Sequence, residues 1–317
     1  MKRWIAGALV ALLSLGALAQ GYPERPVRLI VPLPPGGSPD TIARSIAHGL
    51  QGVWAQPVVV ENRTGGSQNI GGDAVAKSAP DGHTWLLAPD NVFVTNPYLT
   101  NQPFDPLADL APVTLVARIQ FLLVVPASLS VSSVQELIAY AKARPGELNF
   151  GSSGNGSPQH LSAELLQRMG GIKMNHVPYK GAAPAVTDLL PGRIQVWIGA
   201  ANTLLPHIKE GKLKLLGSTA PQRFPNLGDT PAIGEALSGY AVDPWLGLFM
   251  PAKVPPAIIN RVNTEVARIL NGAELKARLG AQGIELVTNS PADFARFIRE
   301  DNAKWGKLIK EAGIKGE

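Results

Sequence analysis

The chain contains no cysteine. That single absence excludes disulfide scaffolds, thiol catalysis and zinc–thiolate sites. It suits a chain long enough to be held by its core alone, even in an oxidising compartment. Aromatic residues make up 6% and charged residues 17% of the sequence. The net charge of +5 comes from lysines and arginines scattered without a basic run, so a nucleic-acid footprint is absent. The five histidines, His48, His83, His160, His176 and His207, show no H-E-x-x-H or H-x-H spacing, so no metal site is expected. Cofactor and nucleophile motifs fail as well. Gly36-Gly37-Ser38 lacks the lysine of a phosphate loop, no G-x-G-x-x-G follows a strand, and Gly151-Ser152-Ser153-Gly154-Asn155 misses the nucleophile elbow at Asn155. No cofactor is expected.

Long apolar runs are also missing, save one. Lys2 and Arg3 precede the apolar stretch Ile5 to Leu18, and Ala17-Leu18-Ala19 is a small-x-small cleavage site. Residues 1–19 therefore read as a secretory signal peptide, too short for a confident membrane span. With no cysteine behind the cleavage site, no lipid anchor is expected. The mature chain is expected to be exported, soluble and of a length suited to two domains.

What is present is organised around Gly151-Ser152-Ser153-Gly154-Asn155-Gly156-Ser157-Pro158-Gln159-His160. A strand-like run, Leu148-Asn149-Phe150, leads into it, and Leu161, Leu165, Leu166 and Met169 mark one face of the helix that follows. Ser157 stands where an N-cap belongs and Pro158 at the first helical position. Glycines ahead of the cap leave backbone N–H groups free to face a ligand, and the helix end adds a positive dipole. A second copy of the device lies earlier: the strand Arg28-Leu29-Ile30-Val31, the loop Pro34-Pro35-Gly36-Gly37, then Ser38-Pro39-Asp40 as cap and first turn. Ser290-Pro291 opens a third helix with no glycine-rich loop before it, so a Ser-Pro start alone is structural. The reading is that the first two loops come from two lobes and close on one small carboxylate.

Elsewhere strands and helices alternate, as in an α/β chain with parallel sheets. Gly65-Gly66-Ser67-Gln68-Asn69 is a further glycine-rich turn. Two long strand-like runs, Val113 to Val125 and Tyr240 to Met250, read as the outward and return crossings between lobes. The domains are then residues 20–118 and 244–317 for lobe 1 and residues 119–243 for lobe 2. Each lobe is expected as a mostly parallel sheet flanked by helices, with the C-terminal helices packed back on lobe 1. Trp245 and Phe93 are candidates for an apolar cleft wall. Tyr179 follows a strand, where α/β clefts form. Lys180 beside it reads as solvated, and Asp40 as a first-turn acid favouring the helix dipole.

With these residues assembled, the chain resembles the substrate-binding receptors of tripartite tricarboxylate transporters, the Bug family. The likeness rests on Pro35-Gly36-Gly37-Ser38-Pro39-Asp40, Pro57-Val58-Val59-Val60-Glu61-Asn62-Arg63, Ala79-Pro80-Asp81-Gly82, Gly151 to Ser157, His176-Val177-Pro178-Tyr179-Lys180-Gly181 and Trp245-Leu246-Gly247, in that order. The resemblance implies a two-lobed Venus-flytrap receptor of the periplasm, likened to type II binding proteins and without enzymatic activity. Such a receptor delivers a small organic carboxylate to the two membrane subunits of a secondary transporter and is expected as a monomer. Ligand-binding positions carried over are Gly36, Gly37, Ser38, Asp40, Ser152, Ser153, Gly154, Asn155, Gly156, Ser157 and His160, joined by Tyr179 and Trp245. The chain departs from the family at Gly199-Ala200, where relatives often carry Asp or Asn, and at Asp243-Pro244, where a hydroxyl residue is commoner. The first departure implies a less polar ligand, an aromatic or aliphatic monocarboxylate. A receptor of the same fold feeding a membrane sensor kinase is the alternative reading, and a secreted hydrolase or transferase the remaining one.

Overall fold

The computed structural model describes residues 21–224 and 228–315. The signal-peptide reading falls on residues outside that set. Two sheets organise the chain. The first half of lobe 1 runs β1 (Val27–Val31), helix α1 (Ser38–Gln51), β2 (Val58–Asn62), α2 (Asn69–Ala76) and β3 (Thr84–Pro89), then single helical turns at Asn91–Val94 and Asn96–Leu99, and β4 (Leu110–Ile119). Lobe 2 follows as β5 (Phe121–Pro126), α3 (Val134–Ala143), β6 (Asn149–Ser152), α4 (Pro158–Gly170), β7 (Asn175–Pro178), α5 (Ala182–Leu189), β8 (Val196–Ala200), α6 (Ala201–Lys209) and β9 (Leu213–Ser218). The chain returns with β10 (Trp245–Pro251), α7 (Pro256–Leu270), α8 (Ala273–Gly280), β11 (Ile284–Leu286) and α9 (Pro291–Ala312).

The six-stranded sheet has the order β11-β4-β10-β3-β1-β2 and the five-stranded one β7-β6-β8-β5-β9. In each sheet most strands run one way, as expected from the sequence, and a minority are reversed. β1 pairs in parallel with β2 and β3, and β6 with β7 and β8. The crossing strands break the pattern: β10 lies antiparallel between β3 and β4, and β5 antiparallel between β8 and β9. A strand that comes back from the other lobe enters its sheet from the far end, so its direction is reversed.

The crossings are also shorter as strands than their sequence suggests. The run Val113 to Val125 is cut at Gln120, where β4 ends and β5 begins. The return run is strand only from Trp245 onward. The junction is pinned by backbone bonds, Ile119 N–H to Pro244 O at 2.8 Å and Val242 N–H to Thr219 O at 2.8 Å.

Local signals account for the helices that aim at the cleft. In α1 the buried residues Ile42, Ala43, Ile46, Ala47 and Leu50 recur at helical spacing against the first sheet. In α4 the inward face is Leu161, Ala163 and Leu166, and Gly171 closes the helix in the left-handed conformation at φ 60°. The last helix departs from expectation. α9 packs Phe294 and Ile298 on the lobe 1 side, but Trp305, Leu308 and Ile309 join one apolar cluster with Leu161 and Leu166 of lobe 2. Arg168 of α4 and Glu311 of α9 add an ion pair at 2.8 Å. α9 thus bridges both lobes.

Candidate functional site

Between the sheets lies a cavity of about 400 Å³. Ser38 and Pro39, the first turn of α1, line it from lobe 1. Ser157, Pro158 and Gln159, the start of α4, line it from lobe 2, with Ser153, Asn155 and Gly156 of the preceding loop. Two helix N-termini from different sheets therefore open on one space. Each presents its first backbone turn and the positive end of a helix dipole. Among the described residues no lysine, arginine or histidine lines the cavity.

The loop shapes are held from behind. Gly37 takes the cap position of α1, one residue before the Ser38 cap expected from the sequence. Asp40 does not line the cavity. Its carboxylate accepts the Gly36 N–H at 3.0 Å, Asn62 Nδ2 at 3.1 Å and Arg44 Nε at 2.9 Å. The Arg44 guanidinium, with these donors, holds its pKa below the usual range. Asp40 is thus a brace for the Gly36–Gly37 loop. In lobe 2, Ser157 Oγ caps α4 by accepting the His160 N–H at 3.3 Å. His160 Nδ1 accepts the Gly156 N–H at 3.0 Å, and its ring stacks on His176 with centroids 3.9 Å apart. His176 Nε2 meets Ser152 Oγ at 2.6 Å, and Ser152 Oγ accepts the Gly154 N–H at 3.1 Å. Burial and the neighbouring His160 ring depress His176 to about 4. Ser152 is fully buried, so this serine–histidine contact serves the loop's own backbone and not the cavity.

Of the residues singled out from the sequence, Ser38, Ser153, Asn155, Gly156, Ser157 and Trp245 come together on the cavity. Gly36, Gly37, Asp40, Ser152, Gly154 and His160 stand behind it as loop and support. Tyr179 lies away from it and donates its hydroxyl to Asp188 at 2.9 Å, and Lys180 is exposed. Phe93 is stacked on Phe249 at 4.1 Å in the core rather than on the cavity wall. Of the departures, Ala200 and Pro244 line the cavity. Asp243 does not line it and instead pairs with Arg118 at 2.6 Å.

A third loop joins the cavity, the glycine-rich turn after β2, to which the sequence reading assigns no site role. Ser67 and Gln68 line the cavity with left-handed backbones, φ 53° and 71°. Such values are strained for residues with a Cβ and collect at working sites. Asn96 holds the turn by donating Nδ2 to Ser67 O at 2.6 Å, and Asn91 Nδ2 donates to Gln68 Oε1. Asn91, Asn96 and Asp90 are lining residues too. The lining also has an apolar part, formed by Leu33, Ile119, Phe121, Ala200, Trp245 and Leu246. The available signal was the glycine pair Gly65-Gly66 ahead of Ser67, the same composition that marked the other two loops.

The sequence profile of the tripartite tricarboxylate transporter family receptor matches residues 42–314. The chain belongs to that family. Among its relatives, protein BugT of Bordetella pertussis is 36% identical over 316 residues, covering 98% of this chain and 97% of that protein. An R. palustris protein solved with adipate superposes with a TM-score of 0.83 at 38% identity, covering 93% of this chain and all of the other. MatC from Rhodopseudomonas palustris, solved with bound malate, superposes at 0.78 with 28% identity over 91% of this chain and all of MatC. Tripartite tricarboxylate receptors are solute-binding proteins, and the fold is that of a periplasmic binding protein. Among the described residues no helix is long and apolar enough to cross a membrane.

Proposed function

We propose that this chain captures a small organic carboxylate between its two lobes in the periplasm and delivers it to the membrane subunits of a tripartite transporter. The observation that carries the reading is the convergence of α1 and α4, two helix N-termini from separate sheets, on a cavity without a cationic side chain. Anion binding then falls to backbone N–H groups, Ser38, Ser67, Ser153 and Ser157 hydroxyls, and two dipoles. Each helix end offers about 0.3–1 kcal/mol when exposed and up to about 2 when partly buried. Hydrogen bonds to a charged group add about 1.5–3 kcal/mol each. A handful of these, less the ordering cost of closure, gives an affinity near micromolar, about 8 kcal/mol. The apolar wall suits a hydrocarbon body behind the carboxylate. Related proteins solved with adipate and with malate support the ligand class.

The reading is one of binding rather than catalysis, since the serine–histidine contact is buried behind the loop. Export by cleavage after Ala19 and action as a monomer complete it. Native mass spectrometry of freshly purified protein should reveal a co-purified small acid. Thermal unfolding with adipate, malate, benzoate and their amides should then show stabilisation by at least one acid and none by its amide. No co-purified acid together with no stabilisation by any acid would overturn the reading.

A further inference from the structure

The floor of the carboxylate cavity carries an acid of its own. Asp90 lines the cavity and is 7% exposed. Its carboxyl accepts the Asn91 N–H at 2.7 Å and a backbone N–H of Trp245, and its own backbone N–H is tied to Trp245 O at 3.0 Å, so the residue is held at the junction of the lobes; burial and the Asp301 carboxylate outweigh the two donors. Among the described residues no cation faces it. Asp301 of α9 and Asp243 of the return crossing are the charged groups behind it. Asp301 accepts from Trp245 Nε1 at 2.8 Å. The two nearby cations are engaged elsewhere, Arg118 with Asp243 at 2.6 Å and Lys304 with the Ala241 carbonyl at 2.8 Å. An ionised Asp90 would therefore meet an anionic ligand in a space with no positive side chain to offset either charge, an expensive arrangement in a partly dehydrated cleft.

We propose that Asp90 enters the ligand complex as the neutral acid and donates its carboxyl proton to an acceptor oxygen of the bound carboxylate, so that capture is coupled to protonation of the cleft floor. The step is proton retention below the pKa of Asp90 and uptake of one proton from solvent above it; no bond other than O–H is made or broken. Burial, reinforced by the Asp301 carboxylate, raises Asp90 to about 8, so the acid is supplied ready protonated near neutral pH. The inference rests on the carboxylate reading of the cavity and adds a specificity determinant to it. A ligand with an oxygen acceptor over Asp90 is retained, whereas one placing an ammonium there would require the ionised form.

The test has two arms. Protein labelled with ¹³C at its aspartate carboxyls is titrated without ligand, with Asp90→Asn identifying the resonance. A transition near pH 8 is expected, and one below about pH 5 overturns the proposal. Calorimetry with the acid identified as above follows between pH 6 and 9. Affinity is expected to fall about tenfold per unit once pH exceeds that transition, with proton uptake shown by buffers of different ionisation heat. Asp90→Asn keeps a donor that cannot ionise, so its slope should vanish and it should bind about tenfold more tightly than wild type at pH 9. A flat wild-type profile overturns the coupling, and affinity that rises with pH shows Asp90 acting as an anion toward a cationic ligand. If no acid binds at all, the carboxylate reading itself has failed, and the free-protein titration still reports the state of Asp90.

Discussion

Ser157 does two things with one oxygen. It caps α4 through the His160 N–H at 3.3 Å and lines the cavity. Ser157→Ala should therefore lose a cap and a ligand contact, weakening binding by about 1–3 kcal/mol. Lys180, exposed and away from the cavity, should cost less on truncation to Ala. Calorimetry with the identified ligand decides between them. Loss of binding in Lys180→Ala with Ser157→Ala intact would replace the dipole account with a direct ion pair. Asp90 makes a second prediction, about stability. Its carboxyl titrates near 3.9 unfolded and near 8 folded. Below about pH 4 both states hold the proton. Between these values the unfolded chain releases a proton that the folded one keeps, so this group makes stability fall as pH rises, levelling off above 8. Asp90→Asn should gain urea midpoint over wild type at pH 7.5 and little at pH 4. A gain of equal size at both values would show that ionisation is not the cause.

The loops are the elements in which these residues act, and their tolerance is set by geometry. Gly156 has φ +69°, and a Cβ there would run into Leu99 Cδ1, a residue of lobe 1. Gly156→Ala is expected to cost about 1–3 kcal/mol of stability and to weaken the ligand further, because the displaced loop carries Asn155 and Ser157. Equal affinity in that variant would remove this loop from the site. The stacked pair behind it gives a pH signature of opposite sign to that of Asp90. His176 titrates near 4 folded and near 6.5 unfolded. As pH falls from about 6.5 to 4 the unfolded chain gains the proton first, so the loop loses support. His176→Gln should flatten that part of the stability curve, measured by denaturant unfolding at pH 6.5 and 4.5. These loops differ in how legible they were. The glycines before Ser38 and Ser157 announce themselves because a bare backbone followed by a cap is a local code. The third loop is not local: Ser67 and Gln68 adopt left-handed backbones held by Asn96 and Asn91, more than twenty positions on. Asp90 is mute for a related reason. An isolated acid between Pro89 and Asn91 acquires its meaning only from burial beside Asp301. The alternation of strands and helices marked out the two α/β lobes, but sheet direction depends on where β5 and β10 enter, which no periodicity records.

At the scale of the whole molecule, the ligand would touch both lobes, so it can shift an open–closed equilibrium by its differential affinity for the closed form. Among the described residues the chain passes between the two sheets at Gln120 and between Thr219 and Trp245, and these passages would serve as the covalent hinge. A third tie, not foreseen from the sequence, is the C-terminal half of α9. Trp305, 5% exposed, borders a void of about 10 Å³ together with Val94 and Thr95 of lobe 1 and Pro158, Leu161 and Val242 on the other side. The Arg168–Glu311 pair beside it is 45% and 40% exposed, so it adds at most about 1 kcal/mol; the apolar wedge holds the lobes more strongly than the ion pair does. Removing it should release them. Trp305→Ala is expected to lose about 3–5 kcal/mol of stability and to populate more open forms. Small-angle scattering should show wild type contracting on saturation with ligand. The variant should start from a larger radius of gyration and contract further, with weaker affinity because closure must now be driven from a smaller closed population. If the two proteins share one radius without ligand, α9 does not govern the opening. If wild type shows no contraction, the hinge account fails or the ligand sits elsewhere.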